Sequence, residues 1–133
     1  MGPRHQHLSA AGAQVFDGGL IEYGAAKAAL NKFTVDMSKR VGPFNITANA
    51  VIPGVVITPQ IERYIQVLKE QRGWGDDPVE NERRYSTEIH PQSVPRMGMP
   101  DDVGATVAFL ASPRAGYING AMLRIDGGGA NHV

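Results

Sequence analysis

The chain has 133 residues, 13 of them basic and 13 acidic, a formal net charge of zero and no cysteine. That balance argues against an electrostatic binder of nucleic acid or of a membrane surface, and the missing cysteines exclude a disulfide framework and a thiolate metal site. The length suits one small domain, residues 1–133, and no run of about 18 apolar residues marks a membrane span.

The opening Met1-Gly2-Pro3-Arg4-His5-Gln6-His7 lacks the apolar core of a signal peptide, so a cytoplasmic protein is expected. His5 and His7 belong to a strand or tail; no third ligand accompanies them, and no metal site is expected. His7-Leu8-Ser9-Ala10 is the expected end of a short strand, followed by a loop with Gly12, Gly18 and Gly19. From Ile21 to Arg40 the pattern is helical: Ala26, Leu30, Phe33, Met37 and Val41 form an apolar stripe that Gly42-Pro43 ends. Ile46 to Ile52 is β-rich and nearly apolar throughout, as in a strand covered on both faces, and Pro53-Gly54 breaks it. Gln60 to Gln71 reads as an amphipathic helix through Ile61, Tyr64, Ile65 and Leu68. Arg72 to Met99 is polar and turn-rich, with Trp74 its large aromatic and a short helix expected over Val79 to Glu88. Pro100-Asp101-Asp102 starts a helix carrying Val103, Val107, Phe109 and Leu110, which Ser112-Pro113 ends. Ala121 to Ile125 is the last expected strand, closed by Asp126-Gly127-Gly128-Gly129. Strands alternating with helices predict an α/β fold with a parallel sheet.

Chemistry is suggested first by Tyr23 and Lys27. Four residues is about one helical turn, so phenol and ammonium share a face. A Lys ammonium beside a phenol favours phenolate and fits a Tyr for proton transfer near neutral pH. Such a spacing also arises by chance, and its surroundings must decide. Ser9 lies just past the first strand, and Pro53-Gly54-Val55-Val56-Ile57-Thr58-Pro59 follows the second. Open α/β sheets place their sites at these strand ends. Gly54 would let backbone approach a ligand closely, and Thr58 offers a hydroxyl.

Together these segments resemble the short-chain dehydrogenases/reductases from Leu8 to Gly128. Leu8-Ser9-Ala10-Ala11-Gly12 is similar to the family's serine segment, and Tyr23-Gly24-Ala25-Ala26-Lys27-Ala28-Ala29-Leu30 to its Tyr-x-x-x-Lys helix. Asn49 to Pro59 resembles the strand and loop beside the nicotinamide. Arg96 to Val103, Ala108 to Ser112, Gly120 and Ile125 to Gly128 resemble the last helix and strand.

The resemblance implies a Rossmann-like parallel sheet of which this chain holds the C-terminal part, about three strands plus helices. It implies an NAD(P)-dependent oxidoreductase interconverting a carbonyl and an alcohol. Tyr23 would transfer the proton. Lys27 would assist it and bind the nicotinamide ribose. Ser9 would hold the reacting oxygen, although its spacing to Tyr23 is one residue longer than usual and puts Ala10 at the strict position. Pro53, Gly54, Val56 and Thr58 would hold the nicotinamide end. Residues 59–95 would form a substrate lid, and a 3-oxoacyl thioester or related 3-oxo compound is the implied substrate. The family's opening strand, Gly-rich turn and helix, which receive the pyrophosphate, have no counterpart here, so the N-terminal dinucleotide-binding βαβ is lacking. A truncated oxidoreductase is the expected reading; a non-catalytic remnant or oligomerisation fragment that cannot bind dinucleotide is the alternative. Without a first half, the first strand is an open edge and one face of the Tyr23 helix lacks cover. A dimer or tetramer is therefore expected.

Overall fold

A computed structural model describes residues 4–7, as backbone, and 21–129. The elements run β1 (Arg4–His7), α1 (Ile21–Val41), a 3₁₀ turn (Gly42–Phe44), β2 (Ala48–Pro53), α2 (Pro59–Arg72), α3 (Pro78–Arg84), a π-helical turn (Tyr85–Ile89), α4 (Pro100–Leu110), a second 3₁₀ turn (Pro113–Ala115) and β3 (Met122–Ile125). The three strands form one parallel sheet in the order β1-β2-β3. Arg4 pairs with Ala48 and His7 with Val51; on the other side Ala50 pairs with Met122 and Pro53 with Ile125. The expected α/β order and parallel sheet are observed. The expected strand end at Leu8–Ala10, and with it Ser9, lies outside the described residues.

β2 is buried from Ala48 to Ile52, as its apolar run predicts. One face, Ala50 and Ile52, packs with Leu30 of α1 and Met122; the other, Val51, packs with Leu110, Ala115, Val103 and Val107 on the α4 side. The strand runs one residue further than expected, through Pro53. Among the described residues Pro53 pairs with Ile125 of β3 alone.

The apolar stripe expected along α1 is only partly the face laid on the sheet: Leu30 packs on β2, but the stripe is not the most buried side of the helix. Phe33 is 45% exposed, whereas Thr34 and Ser38 are buried. Their hydroxyls donate to the helix's own carbonyls, Thr34 Oγ1 to Leu30 O (2.9 Å) and Ser38 Oγ to Val35 O (2.8 Å). Thus satisfied, these small side chains allow close approach. Gly120, at φ +75°, sits so near that an added Cβ would lie 2.7 Å from Ser38 Oγ. In α4 Phe109 likewise turns outward, leaving Leu110 in the core.

Two asparagines fasten this arrangement. Asn49, fully buried in β2, donates from Nδ2 to Ile118 O (2.9 Å) and accepts from Ala121 N–H (3.0 Å). Asn119 accepts from Ala48 N–H (3.0 Å) and donates to Ser38 O (3.0 Å), so it ties β2 to α1. Asn119→Ala is expected to lower stability by about 2 kcal/mol, from two lost hydrogen bonds and the groups left unpaired. Urea unfolding measures this; a change within error would show the clamp to be idle.

The region between β2 and α4 has its own core: Ile65, Leu68, Trp74, Tyr85 and Met97, flanked by Val55, Ile57, Ile61 and Ile89. The single short helix expected over Val79 to Glu88 is instead α3 followed by the π turn. Asp77 caps α3, accepting from Val79 N–H at 2.9 Å.

Candidate active site

Tyr23 and Lys27 lie on the first turns of α1, and Lys27 Nζ stands 5.3 Å from the centroid of the Tyr23 ring. This is cation–π distance. Both side chains line an open cleft of about 930 Å³, together with Pro53, Gly54, Val56 and Thr58 from the loop after β2. The cleft therefore sits at the C-terminal end of the central strand, where open α/β sheets place their sites. The structure brings together six of the seven residues singled out in the sequence; the seventh, Ser9, is outside the described residues.

The loop backbone is held by a short parallel bridge. Gly98 N–H donates to Val55 O (2.9 Å) and Ile57 N–H donates to Gly98 O (2.8 Å). Val56 thus keeps its own N–H and C=O out of that bridge, a donor and an acceptor side by side. Such a pair suits a group that itself carries both an acceptor and a donor, as a carboxamide does. Thr58 has a local duty as well: its Oγ1 caps α2, accepting from Ile61 N–H at 3.3 Å, and its hydroxyl proton remains to donate.

Arg96 and Asp102 anchor the Gly98 side. The guanidinium meets the carboxylate through two bonds of 2.8 and 2.9 Å, and Asp102 also accepts from Met99 N–H at 2.7 Å. Hydrogen bonding from Arg96, then from Met99 N–H, holds the Asp102 carboxyl down at about 2. A carboxylate depressed by folding stabilises the fold above its unfolded value of 3.8, and this contribution is lost as pH falls from there to about 2. Acid unfolding followed by circular dichroism is expected to be less steep across that window in Asp102→Asn than in the wild type; superimposable acid limbs would refute this.

Among the lining residues that reading the sequence alone missed are Gln60, Pro100 and Val103, and the pair Tyr85 and His90 at the two ends of the π turn. Tyr85 is 2% exposed and meets Tyr64 edge-on, with ring centroids 6.3 Å apart. His90 is half-buried; its ring lies 5.5 Å from that of Tyr85, and burial lowers its pKa below the ordinary histidine value. Of the apolar α2 residues, Ile65 and Leu68 belong to the core, and Ile61 faces the cleft. Among the described residues, no helix is long and apolar enough to cross a membrane.

The family model described as enoyl-(acyl carrier protein) reductase matches residues 6–130. The short-chain reductase protein NovJ of Streptomyces niveus is 36% identical over 110 residues, which are 83% of this chain and 38% of that protein. Cyclohexanol dehydrogenase of a Rhodococcus species is 32% identical over 121 residues, 90% of this chain and 39% of that protein. Among solved structures, a short-chain dehydrogenase/reductase of Serratia marcescens superposes with a TM-score of 0.70 at 31% identity, over 93% of this chain and 44% of its own. The chain thus spans about two-fifths of the length of the curated relatives it matches. With nearly all of its length matched, the chain belongs to the short-chain dehydrogenase/reductase family.

Proposed function

We propose that this chain supplies the proton-transfer half of an NAD(P)-dependent oxidoreductase acting on a ketone or secondary alcohol. The observation that carries this reading is the convergence of Tyr23, Lys27 and the Val56 backbone on one cleft at the end of β2. The name of the cyclohexanol dehydrogenase relative supports a secondary alcohol as the substrate class.

A bound NAD(P) would exchange hydride with the substrate carbon. Tyr23 Oη–H would give its proton to the carbonyl oxygen in the reducing direction, and the Lys27 ammonium would stabilise the phenolate left behind until solvent returns the proton. In the oxidising direction the phenolate would take the alcohol proton. Ser9 would hydrogen-bond the reacting oxygen. Val56 N–H and C=O would hold the carboxamide, with Thr58 beside them.

The pyrophosphate cradle, a Gly-rich turn at a helix N-terminus, would come from polypeptide beyond these 133 residues. Calorimetry tests this division. The chain alone is expected to show no micromolar binding of NADH or NADPH. Mixed with the N-terminal half of the Serratia relative, it is expected to gain protease resistance, bind dinucleotide and oxidise cyclohexanol. Micromolar binding by the chain alone would sink the division; a mixture that binds dinucleotide but turns over no ketone or alcohol would sink the oxidoreductase reading. The exposure of Ile21 (81%), Phe33 (45%) and Phe44 (74%) on and beside α1 supports self-association, which light scattering checks; a monomer at all concentrations would refute it.

A further inference from the structure

The wall facing Tyr23 and Lys27 is shaped by the π turn. Residues five apart on an α-helix point to different sides, whereas a π turn, closed between residues i and i+5, brings them to one face. Here His90 N–H donates to Tyr85 O at 2.9 Å, and the two rings lie side by side at 5.5 Å. The turn is well supported. Ser86 Oγ and Thr87 Oγ1 both donate to Arg83 O, at 3.0 and 2.8 Å, where the helix widens. Tyr85 is clamped in the lid core. His90 is therefore presented to the cleft by a rigid support.

Its ring nitrogens have no hydrogen-bond partner among the described residues. Burial keeps the imidazole neutral near pH 7, with one N–H donor and one acceptor. Lys27 is the one charged side chain lining the cleft among the described residues, and the proposed chemistry already occupies it. The wall drawn from residues 59–95 thus combines Ile61 and the Tyr85 ring with two uncharged polar side chains, Gln60 and His90, and of these His90 is the one held by the π turn. We propose that His90, set against Tyr85 by the π turn, is a specificity residue that hydrogen-bonds a second oxygen on an uncharged ketone whose reacting carbonyl lies at Tyr23. The assignment rests on the oxidoreductase reading for the position of that carbonyl.

The test is an NMR titration of the chain, with labelled histidine rings, against cyclohexanone and 4-hydroxycyclohexanone. The two probes are alike in size and differ in one distal oxygen. The His90 ring signals are expected to shift saturably with the hydroxyketone, which binds about tenfold more tightly than cyclohexanone. His90→Phe is expected to abolish this preference. His90→Gln, which keeps a donor and an acceptor, is expected to restore part of it. Should His90→Phe fail to fold, the wild-type ring shifts and the His90→Gln preference decide. Equal affinity for the two probes, a preference that survives His90→Phe, or ring signals indifferent to both ketones would overturn the assignment. Failure of the oxidoreductase reading looks different: the His90-dependent preference persists, but no dinucleotide-supported turnover accompanies it.

Discussion

Replacing Tyr23 by Phe is expected to lower kcat of the dinucleotide-binding assembly by about 10³-fold, the middle of the range for a lost general acid–base group. The fold is expected to be indifferent. Tyr23 is 41% exposed, its ring stays in Phe, and no hydrogen bond from its hydroxyl holds another described element. The thermal midpoint should therefore stay within error of the wild type. This separation of effects matters because the competing view treats Tyr23 as an exposed helix residue whose spacing to Lys27 is accidental. On that view both rate and stability are unchanged. Lys27→Met provides the second arm. It removes the cation 5.3 Å from the ring centroid but keeps most of the aliphatic stem, so turnover is expected to fall while the helix persists. Stopped-flow reduction of cyclohexanone by the mixed halves measures both variants. A Tyr23→Phe assembly with undiminished turnover would remove the proton-transfer role.

Much of the scaffold under this site was legible because its signals are local. The near-continuous apolar run around Val51 can be satisfied only by a strand covered on both faces, and α1 and α4 cover it. Pro100-Asp101-Asp102 announces α4 by chemistry confined to one helical turn. The cleft was legible at its two ends, Tyr23–Lys27 and Pro53–Thr58, since each is a short string with its own reason. What escaped was decided by geometry that neither residue type nor apolar periodicity carries. Thr34 and Ser38 look polar in sequence, yet they form the buried face of α1 because their hydroxyls are satisfied on their own helix. Asn49 and Asn119 act as clamps only because the loop before β3 returns beside β2. Tyr85 and His90 became a pair through a π turn, whose spacing matches neither helical nor strand periodicity.

Gly54 carries the second large expected effect, and its packing supplies a reason beside the one its sequence suggests. A glycine after a strand invites the view that backbone there must approach a ligand. The structure puts Asp126 in that space: a Cβ on Gly54 would lie 2.8 Å from Asp126 Cα and 2.9 Å from Asp126 Cβ. These atoms belong to the backbone and root of the residue following β3, so no flexible side chain can yield. Gly54 N–H also donates to Ile125 O at 3.0 Å, one residue beyond the last ladder pair. Gly54→Ala must therefore push β2 and β3 apart where the cleft begins. The expected loss is about 2–3 kcal/mol, or roughly 10 °C in the thermal midpoint. Gly104 gives the contrast. It is exposed within α4, and an added Cβ there meets nothing within 4 Å. Gly104→Ala is expected to stabilise the chain by about 0.5–1 kcal/mol through helix propensity. Because both measurements are made on the chain without ligand, they separate packing from recognition. If Gly54→Ala unfolds like the wild type but loses dinucleotide binding in the mixed assembly, the residue serves the ligand. If it unfolds early, as expected, Gly54 holds β2 close to β3 at the edge of the cleft that it lines.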